Sequence, residues 1–358
     1  MLWETFVAQR IAIIGAGAVG GYIGAYLARA GQDVTAFDAW PDHVEAIRRD
    51  GIRLTGMTEA DTMTVRLPTR HLAELQGLCE APIDIAILAV KSYDTVWGTA
   101  AIAPYLAPSG FVLSAQNCVN EERIAGVVGW GRVLGCMVGN NFTVDLHAPG
   151  EIRRTMPRRV PGTQSLQIGE VHGRVTARAE ALAALLADVD TTGVTTNLWG
   201  VRWSKLCVNG MHNGVSAATG LGGNARDNHP VIRRVVIRLA AEGVRVGRAL
   251  GYELETMTGI APNLFVAADD GNPEALARVE ATMLAGTQGA ARSDLQRPSM
   301  AQDIAKGRRT EIDFMNGFIA ERAAEAGIPA PTHDALTAIV REVERGALAA
   351  RPENLLHL

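Results

Sequence analysis

The apolar run Ile11–Ile14 breaks into the glycine-rich stretch GAGAVGG, and this junction constrains the fold more than anything else in the chain. A buried strand must turn at Gly15, the backbone must come close to a ligand at Gly17, and helix and strand must pack tightly at Gly20. A helix beginning with Ala18 and Val19 would aim unpaired N–H groups and its positive dipole end at a phosphate. A second apolar run at 34–37 follows and ends in Asp38. Strand, glycine turn, helix, strand and terminal acid in this order specify a dinucleotide site built on Gly15, Gly17, Ala18, Val19, Gly20 and Asp38. A carboxylate at position 38 accepts hydrogen bonds from the adenosine ribose and repels the extra phosphate of NADP, so NAD is the expected cofactor. The plainer reading has Asp38 only opening the turn before Pro41. Arg48 and Arg49 lie close enough in sequence to keep NADP in play.

With 358 residues the chain is long enough for two domains. Its 47% apolar content is that of a soluble globular protein, and a net charge of −4 gives no reason to expect nucleic acid. The four cysteines (Cys79, Cys118, Cys136, Cys207) have no metal-ligand spacing and read as buried thiols in a reducing compartment. No metal is expected. The opening MLWETFVAQR lacks a basic leader, and the apolar run after it is too short to span a membrane. A cytoplasmic protein is the expectation.

Strand and helix signals alternate from Ile11 to about Asn197. The run 83–90 is apolar except for Asp84, as suits a parallel strand covered on both faces. Segments 111–115 and 132–138 read as further strands of a doubly wound sheet. Segment 151–169, with Pro157, Pro161 and Gly162, suits a hairpin or long loop, and 177–188 is helical by propensity. Beyond Leu198 helical patterns dominate, at 203–218, 231–250, 275–284, 303–326 and 332–345. The expectation is an α/β Rossmann domain over 1–194 and an all-α domain over 195–358, with chemistry in the cleft between them.

Two segments of the helical half carry suitable polar groups. In WSKLCVNGMHNGVSAATG, Lys205, Asn209 and Asn213 recur every four residues and form one stripe along a helix. A lysine among Trp203, Leu206 and Val208 can lose hydration, which lowers its pKa toward neutrality. The plainer reading makes Lys205 a surface lysine and the asparagines packing amides. Gly210 and Gly214 count against it, because each weakens a helix unless something approaches that face closely. In PSMAQDIAKGRRTEIDFMNGFIA, Ser299 suits a helix cap or a ligand hydroxyl, while Glu311 and Asp313 suit surface acids. Periodicity leaves this segment open.

The chain resembles the ketopantoate reductase (2-dehydropantoate 2-reductase) family over nearly its whole length. The resemblance is carried by GAGAVGGYIGAYLARAG, AVKSYDT, SAQN, WSKLCVNGMHN, PSMAQDIAKGRRTEID with FMNG, and GIPAPT. It implies a helical second domain like that of 6-phosphogluconate dehydrogenase, a homodimer, and a place in pantothenate biosynthesis. It makes Lys205 the general acid that protonates a ketone oxygen as hydride arrives. Glu311 would hydrogen-bond the distal hydroxyl of the substrate. Ser299, Asn209 and Asn213 would position the substrate, Asn117 would border both nicotinamide and substrate, and Lys91 would lie near the cofactor. Such a site is chemically coherent, since a cation at the carbonyl oxygen stabilises the alkoxide and delivers the proton.

The chain also departs from the family pattern. Asp38 stands where the family commonly has a basic residue and uses NADP, Cys118 replaces a glycine, and Pro298 replaces a common serine. Two extra stretches alter the expected walls of the substrate site. One is EIRRTMPRRVPGTQS, whose Arg153, Arg154, Arg158 and Arg159 are expected to form an exposed basic loop. The other lies within 252–297 and should add a helix and a loop. The leading expectation is a nicotinamide-dependent 2-keto acid reductase, on ketopantoate or a bulkier relative. The alternatives are an NAD-dependent dehydrogenase of another hydroxy acid or secondary alcohol, and a non-catalytic NAD(H)-binding sensor. The joint presence of Lys205, Asn209, Asn213, Ser299 and Glu311 argues against the sensor, which needs only the nucleotide site.

Overall fold

The computed structural model describes residues 9–288 and 298–358. The leading segment and the end of the 252–297 insertion lie largely outside these residues. The chain divides into two compact units, one ending at Leu198 and the other starting at Trp199. That is four residues beyond the expected break at 194. Thr195 completes a strand, and Leu198, 1% exposed, still packs over Gly135 and Gly169 of the first unit.

The first unit contains β1 (Ile11–Ile14), α1 (Ala18–Arg29), β2 (Val34–Asp38), α2 (Pro41–Asp50), β3 (Ile52–Thr55), β4 (Met63–Val65), β5 (Thr69–His71) and β6 (Ile83–Leu88). It continues with α3 (Thr95–Ile102), β7 (Leu106–Ser114), α4 (Glu121–Val128), β8 (Val133–Val138), β9 (Val144–Ala148), β10 (Glu151–Arg154), β11 (Leu166–Glu170), α5 (Ala177–Leu186) and β12 (Thr192–Thr195). The main sheet runs in the order β12-β11-β8-β7-β6-β1-β2-β5, parallel except where β11 meets β8. Alternate residues of β1 serve different cores: Ile11 and Ile13 face one apolar cluster, Ala12 and Ile14 another. Burial on both faces is why the run lacks polar alternation. The chain leaves β1 toward β2 on one side and returns to β6 on the other. The loops after β1 and β6 therefore flank the switch point, where open α/β sheets bind ligands.

A second sheet, in the order β4-β3-β10-β9, was not legible in the sequence. It covers α1, whose residues Gly20 to Leu27 are all buried. A side chain at Gly21 would strike Ile152 and Ile52, and one at Gly24 would strike Ile13, so α1 is pressed between two sheets. The arginines of this stretch do not form the exposed basic loop that was expected. Arg154 is 3% exposed, bonded to Asp190 at 2.5 Å and to the carbonyls of Met156, Asn141 and Pro157. Its guanidinium also lies over Tyr22 and Phe142. Arg158 and Arg159 donate to the carbonyls of Ala187, Asp188 and Val189 just beyond α5, the end of a helix that favours cations. Only Arg153 and Arg159 are exposed. Among the cysteines, Cys79 is exposed and the other three are buried.

The second unit is helical: α6 (Leu198–Thr219), α7 (Gly223–Asn228), α8 (Pro230–Ala249), α9 (Pro262–Asp269), α10 (Pro273–Ala285), α11 (Ser299–Ala305), α12 (Asn316–Ala326) and α13 (Pro331–Glu344). The insertion adds α9 and α10. Trp203 of α6 donates its indole N–H to Gly243 of α8 and fills the groove that Gly247 leaves open. The single helix expected over 303–326 is broken into two. Gly307, with φ +62°, ends α11, and the chain turns through a 3-10 segment at Ile312–Phe314 before α12 starts. No described helix is long and apolar enough to cross a membrane.

Candidate active site

The glycine turn is held from three directions. Gly15 donates its N–H to Phe37 at 2.8 Å, and its φ of +94° is a conformation that glycine adopts at low cost. Asp38 accepts the Ala16 N–H at 2.8 Å and the Trp40 N–H at 2.9 Å, so its carboxylate ties the end of β2 to the turn. His43 of α2 meets the Ala16 carbonyl at 2.9 Å through Nε2. A side chain at Gly20 would lie 2.0 Å from the Gly15 oxygen, whereas one at Gly17 would meet nothing within 4 Å.

That contrast fits a dinucleotide. Gly20 is small because protein fills its surroundings; Gly17 is small beside open space. No side chain caps α1, and among the described residues no acceptor meets the N–H groups of Gly17, Ala18 and Val19. A row of unpaired N–H groups at the positive end of a helix suits a pyrophosphate. Arg48 is occupied by Glu45, Glu74 and the Thr69 carbonyl, and Arg49 by Asp50. Asp38 is thus the ionic group built into the turn itself.

Lys91 follows β6 and Asn117 follows β7. Their loops are bonded together. Gln116 Nε2 donates to the Val90 carbonyl and to Thr95 Oγ1, both at 2.9 Å, and Asn120 Nδ2 donates to Ser92 Oγ and the Asn117 carbonyl. Cys118, 4% exposed, has φ +68°, the left-handed region where a glycine is unstrained. A cysteine in this conformation stores backbone strain beside Asn117.

In the second unit, α6 carries Lys205, Asn209 and Asn213 on one face. Asn209 and Asn213 are 7% and 9% exposed, so they are not solvated surface amides. Lys205 keeps partial solvent access as a residue, while its amine lies among protein atoms, and burial lowers its pKa to about 8. The glycines reveal something other than the expectation. Gly210 and Gly214 lie about 100° round the helix from the stripe. Side chains there would strike Asn316, Ile319, Leu336 and Ile312, so α12 and α13 approach that face, not a ligand.

Glu311 is 4% exposed, not a surface acid, and its carbonyl accepts the N–H groups of Phe314 and Met315. Asn213 Nδ2 reaches Met315 Sδ at 3.7 Å, which places the Glu311 turn against the stripe of α6. Ser299 opens α11 without capping it; Pro298 takes the cap position. Three buried residues overlooked in the sequence support this region. Asn316 donates to the Gly210 carbonyl at 2.9 Å and to His333 Nδ1 at 3.0 Å. His333 in turn donates from Nε2 to the Leu239 carbonyl, and burial lowers its pKa to about 4. Glu242 of α8 accepts the Thr332 and His333 N–H groups and the Thr332 hydroxyl, capping α13. The FMNG and APT motifs are thereby explained as packing and capping devices.

The family described as "Ketopantoate reductase PanE/ApbA" matches residues 11–172, and its C-terminal counterpart matches 197–344. A 2-dehydropantoate 2-reductase from Archaeoglobus fulgidus is 30% identical over 344 residues, covering 94% of this chain and 99% of that protein. The one from Pyrococcus horikoshii is 28% identical, covering 94% and 98%. The crystal structure of a PanE/ApbA family ketopantoate reductase from Ralstonia eutropha superposes with a TM-score of 0.75 at 29% identity, covering 94% of this chain and 99% of that one. D-mandelate dehydrogenase with NADH and anilino(oxo)acetate shares the fold, with a TM-score of 0.77 at 23% identity and coverage of 94% and 99%.

Proposed function

The chain belongs to the ketopantoate reductase PanE/ApbA family and is an NAD(P)-dependent oxidoreductase, and we propose that it reduces a 2-keto acid to the 2-hydroxy acid with Lys205 as general acid. The observation that carries this is one face of α6 on which Lys205 lines up with two buried amides, and there burial lowers the pKa of the amine to about 8. At neutral pH the amine is mostly cationic, yet it gives up its proton far more readily than an ordinary lysine. It attracts the anionic substrate, stabilises the alkoxide and releases the proton to it. Asn209 and Asn213 orient the keto acid, Ser299 donates to its carboxylate and Glu311 accepts from a distal hydroxyl. The reduced nicotinamide supplies the hydride when bound. Its dinucleotide is held by Gly15, Gly17, Ala18, Val19, Gly20 and Asp38, with Lys91 and Asn117 on the loops after β6 and β7. Ketopantoate is the first substrate to test, with NADH and NADPH compared. Tight NADH binding without turnover of any keto acid would leave the sensor reading in its place. A homodimer is part of the proposal and is checked by light scattering.

Asp38 favours a second reading of the same site. A carboxylate at that place selects NAD, a pool kept mostly oxidised, so oxidation of a hydroxy acid or secondary alcohol is the physiological alternative. A panel of 2-hydroxy acids assayed with NAD separates the two directions.

A further inference from the structure

We infer that His43 is a positioning residue for the cofactor pyrophosphate, acting through the peptide that joins Ala16 to Gly17. The inference rests on the dinucleotide reading of the turn and extends it to a side chain outside the glycine motif. His43 is fully buried on α2 and lies face to face with Trp40, ring centres 5.8 Å apart. Both ring nitrogens are committed. Nδ1 accepts the N–H of Gly150, in the β9–β10 hairpin turn, at 2.9 Å. The ring proton therefore resides on Nε2, which donates to the Ala16 carbonyl at 2.9 Å.

That carbonyl belongs to the same peptide unit as the Gly17 N–H. The chain has no cis peptide bonds among the described residues, and in a planar trans peptide the N–H points opposite to the C=O. Fixing the carbonyl on His43 therefore fixes the Gly17 N–H in the opposite direction. Asp38 holds the neighbouring peptide by the Ala16 N–H, so the turn is restrained on both sides of Ala16. Glycine at 17 would otherwise let this peptide rotate at little cost. The second sheet acquires a function here, because Gly150 is what keeps His43 in its donating tautomer.

The test compares wild type, His43→Phe, which keeps the ring stack and removes both bonds, and His43→Gln, whose amide can still donate to Ala16. Affinities for NADH, ADP-ribose and adenosine are measured by fluorescence titration and competition. His43→Phe should bind NADH and ADP-ribose roughly tenfold more weakly, with adenosine unchanged and kcat at saturating NADH preserved. His43→Gln should recover most of the loss. Unchanged ADP-ribose affinity in His43→Phe overturns the inference, and so does an equal loss for adenosine, which would mean general loosening. Should His43→Phe fail to fold, imidazole nitrogen NMR of the wild type decides: a proton on Nδ1 or on both nitrogens overturns it. If wild type binds neither NADH nor NADPH, the dinucleotide reading itself fails, an outcome distinct from wild-type binding that His43→Phe leaves untouched.

Discussion

Thr310 donates both its backbone N–H and its hydroxyl to the same carboxylate oxygen of Glu344, at 2.8 and 2.5 Å. Three residues on, Asp313 is gripped by Arg341 at 2.7 Å. Arg341 and Glu344 lie one turn apart on α13, so one helix face clamps the TEID segment on either side of Glu311. Removing the carboxylate leaves the Thr310 N–H, on a residue 1% exposed, without its acceptor, at a cost of about 1–3 kcal/mol. We expect Glu344→Ala to raise the KM for the keto acid several-fold through displacement of Glu311, with NADH affinity unchanged. Steady-state kinetics with each substrate varied checks this. A lower Tm with unaltered keto-acid kinetics would reduce the clamp to a purely structural one.

If Lys205 is the general acid, as proposed, it sets the pH dependence. A general acid must be protonated, so kcat/KM for reduction should be flat below pH 8 and fall above it, because the amine has a pKa of about 8. Oxidation needs the neutral amine and should rise through the same pH. Lys205→Ala should lower turnover by roughly 10²–10⁴-fold and leave NADH affinity nearly intact. Reciprocal pH profiles in the two directions are the measurement. Two profiles that bend the same way near pH 8 would assign the titration to another group.

Asp38 fixes the glycine turn, and on the proposed function it also selects NAD, two roles that its variants should separate. Asp38→Asn keeps an acceptor for the Ala16 N–H and removes the charge, so discrimination against NADPH should relax with modest loss of NADH affinity. Asp38→Ala also frees the turn and should weaken both nucleotides. Asp38→Arg should reverse the preference. Binding constants for NADH and NADPH across the series check this. Selectivity that stays constant would leave Asp38 as a turn-fixing residue alone.

The parts of the fold that were legible in the sequence are those written in local periodicity. The junction from β1 to α1 could be read because its glycines answer to a turn and a close approach within twenty residues of one another. Five strands of the main sheet (β1, β2, β6, β7 and β8) and the helices α5, α6, α8, α10 and α13 were legible for the same reason. What could not be read depends on partners distant in sequence. The β3–β10 pairing joins segments roughly a hundred residues apart, and although Ile52 and Leu54 alternate with polar residues, a run of four residues does not announce its partner. Arg154 looked solvated among other arginines because nothing local reveals that Asp190 receives it. His43 carried no motif, and Gly210 and Gly214 were informative about close approach but silent on what approaches. The Lys205 stripe was visible as spacing; the burial that lowers the pKa of its amine comes from the folded chain.

Burial of His333 ties the stability of the helical unit to pH. Burial lowers its pKa from 6.5 to about 4 by denying water to the charged form, against the smaller opposing effect of the bond to the Leu239 carbonyl. The folded value lies below the unfolded one, so the unfolded chain binds the proton first. Stability from this group is complete above pH 6.5 and is lost as pH falls toward 4, by on the order of 3 kcal/mol. Glu242 has the opposite sign. Burial raises its pKa, so the folded chain takes that proton first and recovers part of the loss. Comparing wild type with His333→Gln cancels the Glu242 contribution. Native-state hydrogen exchange of the α8 and α13 amides at pH 7 and pH 4.5 should show the wild type losing protection on acidification much more than the variant. Equal losses in the two proteins would place the acid sensitivity outside this imidazole.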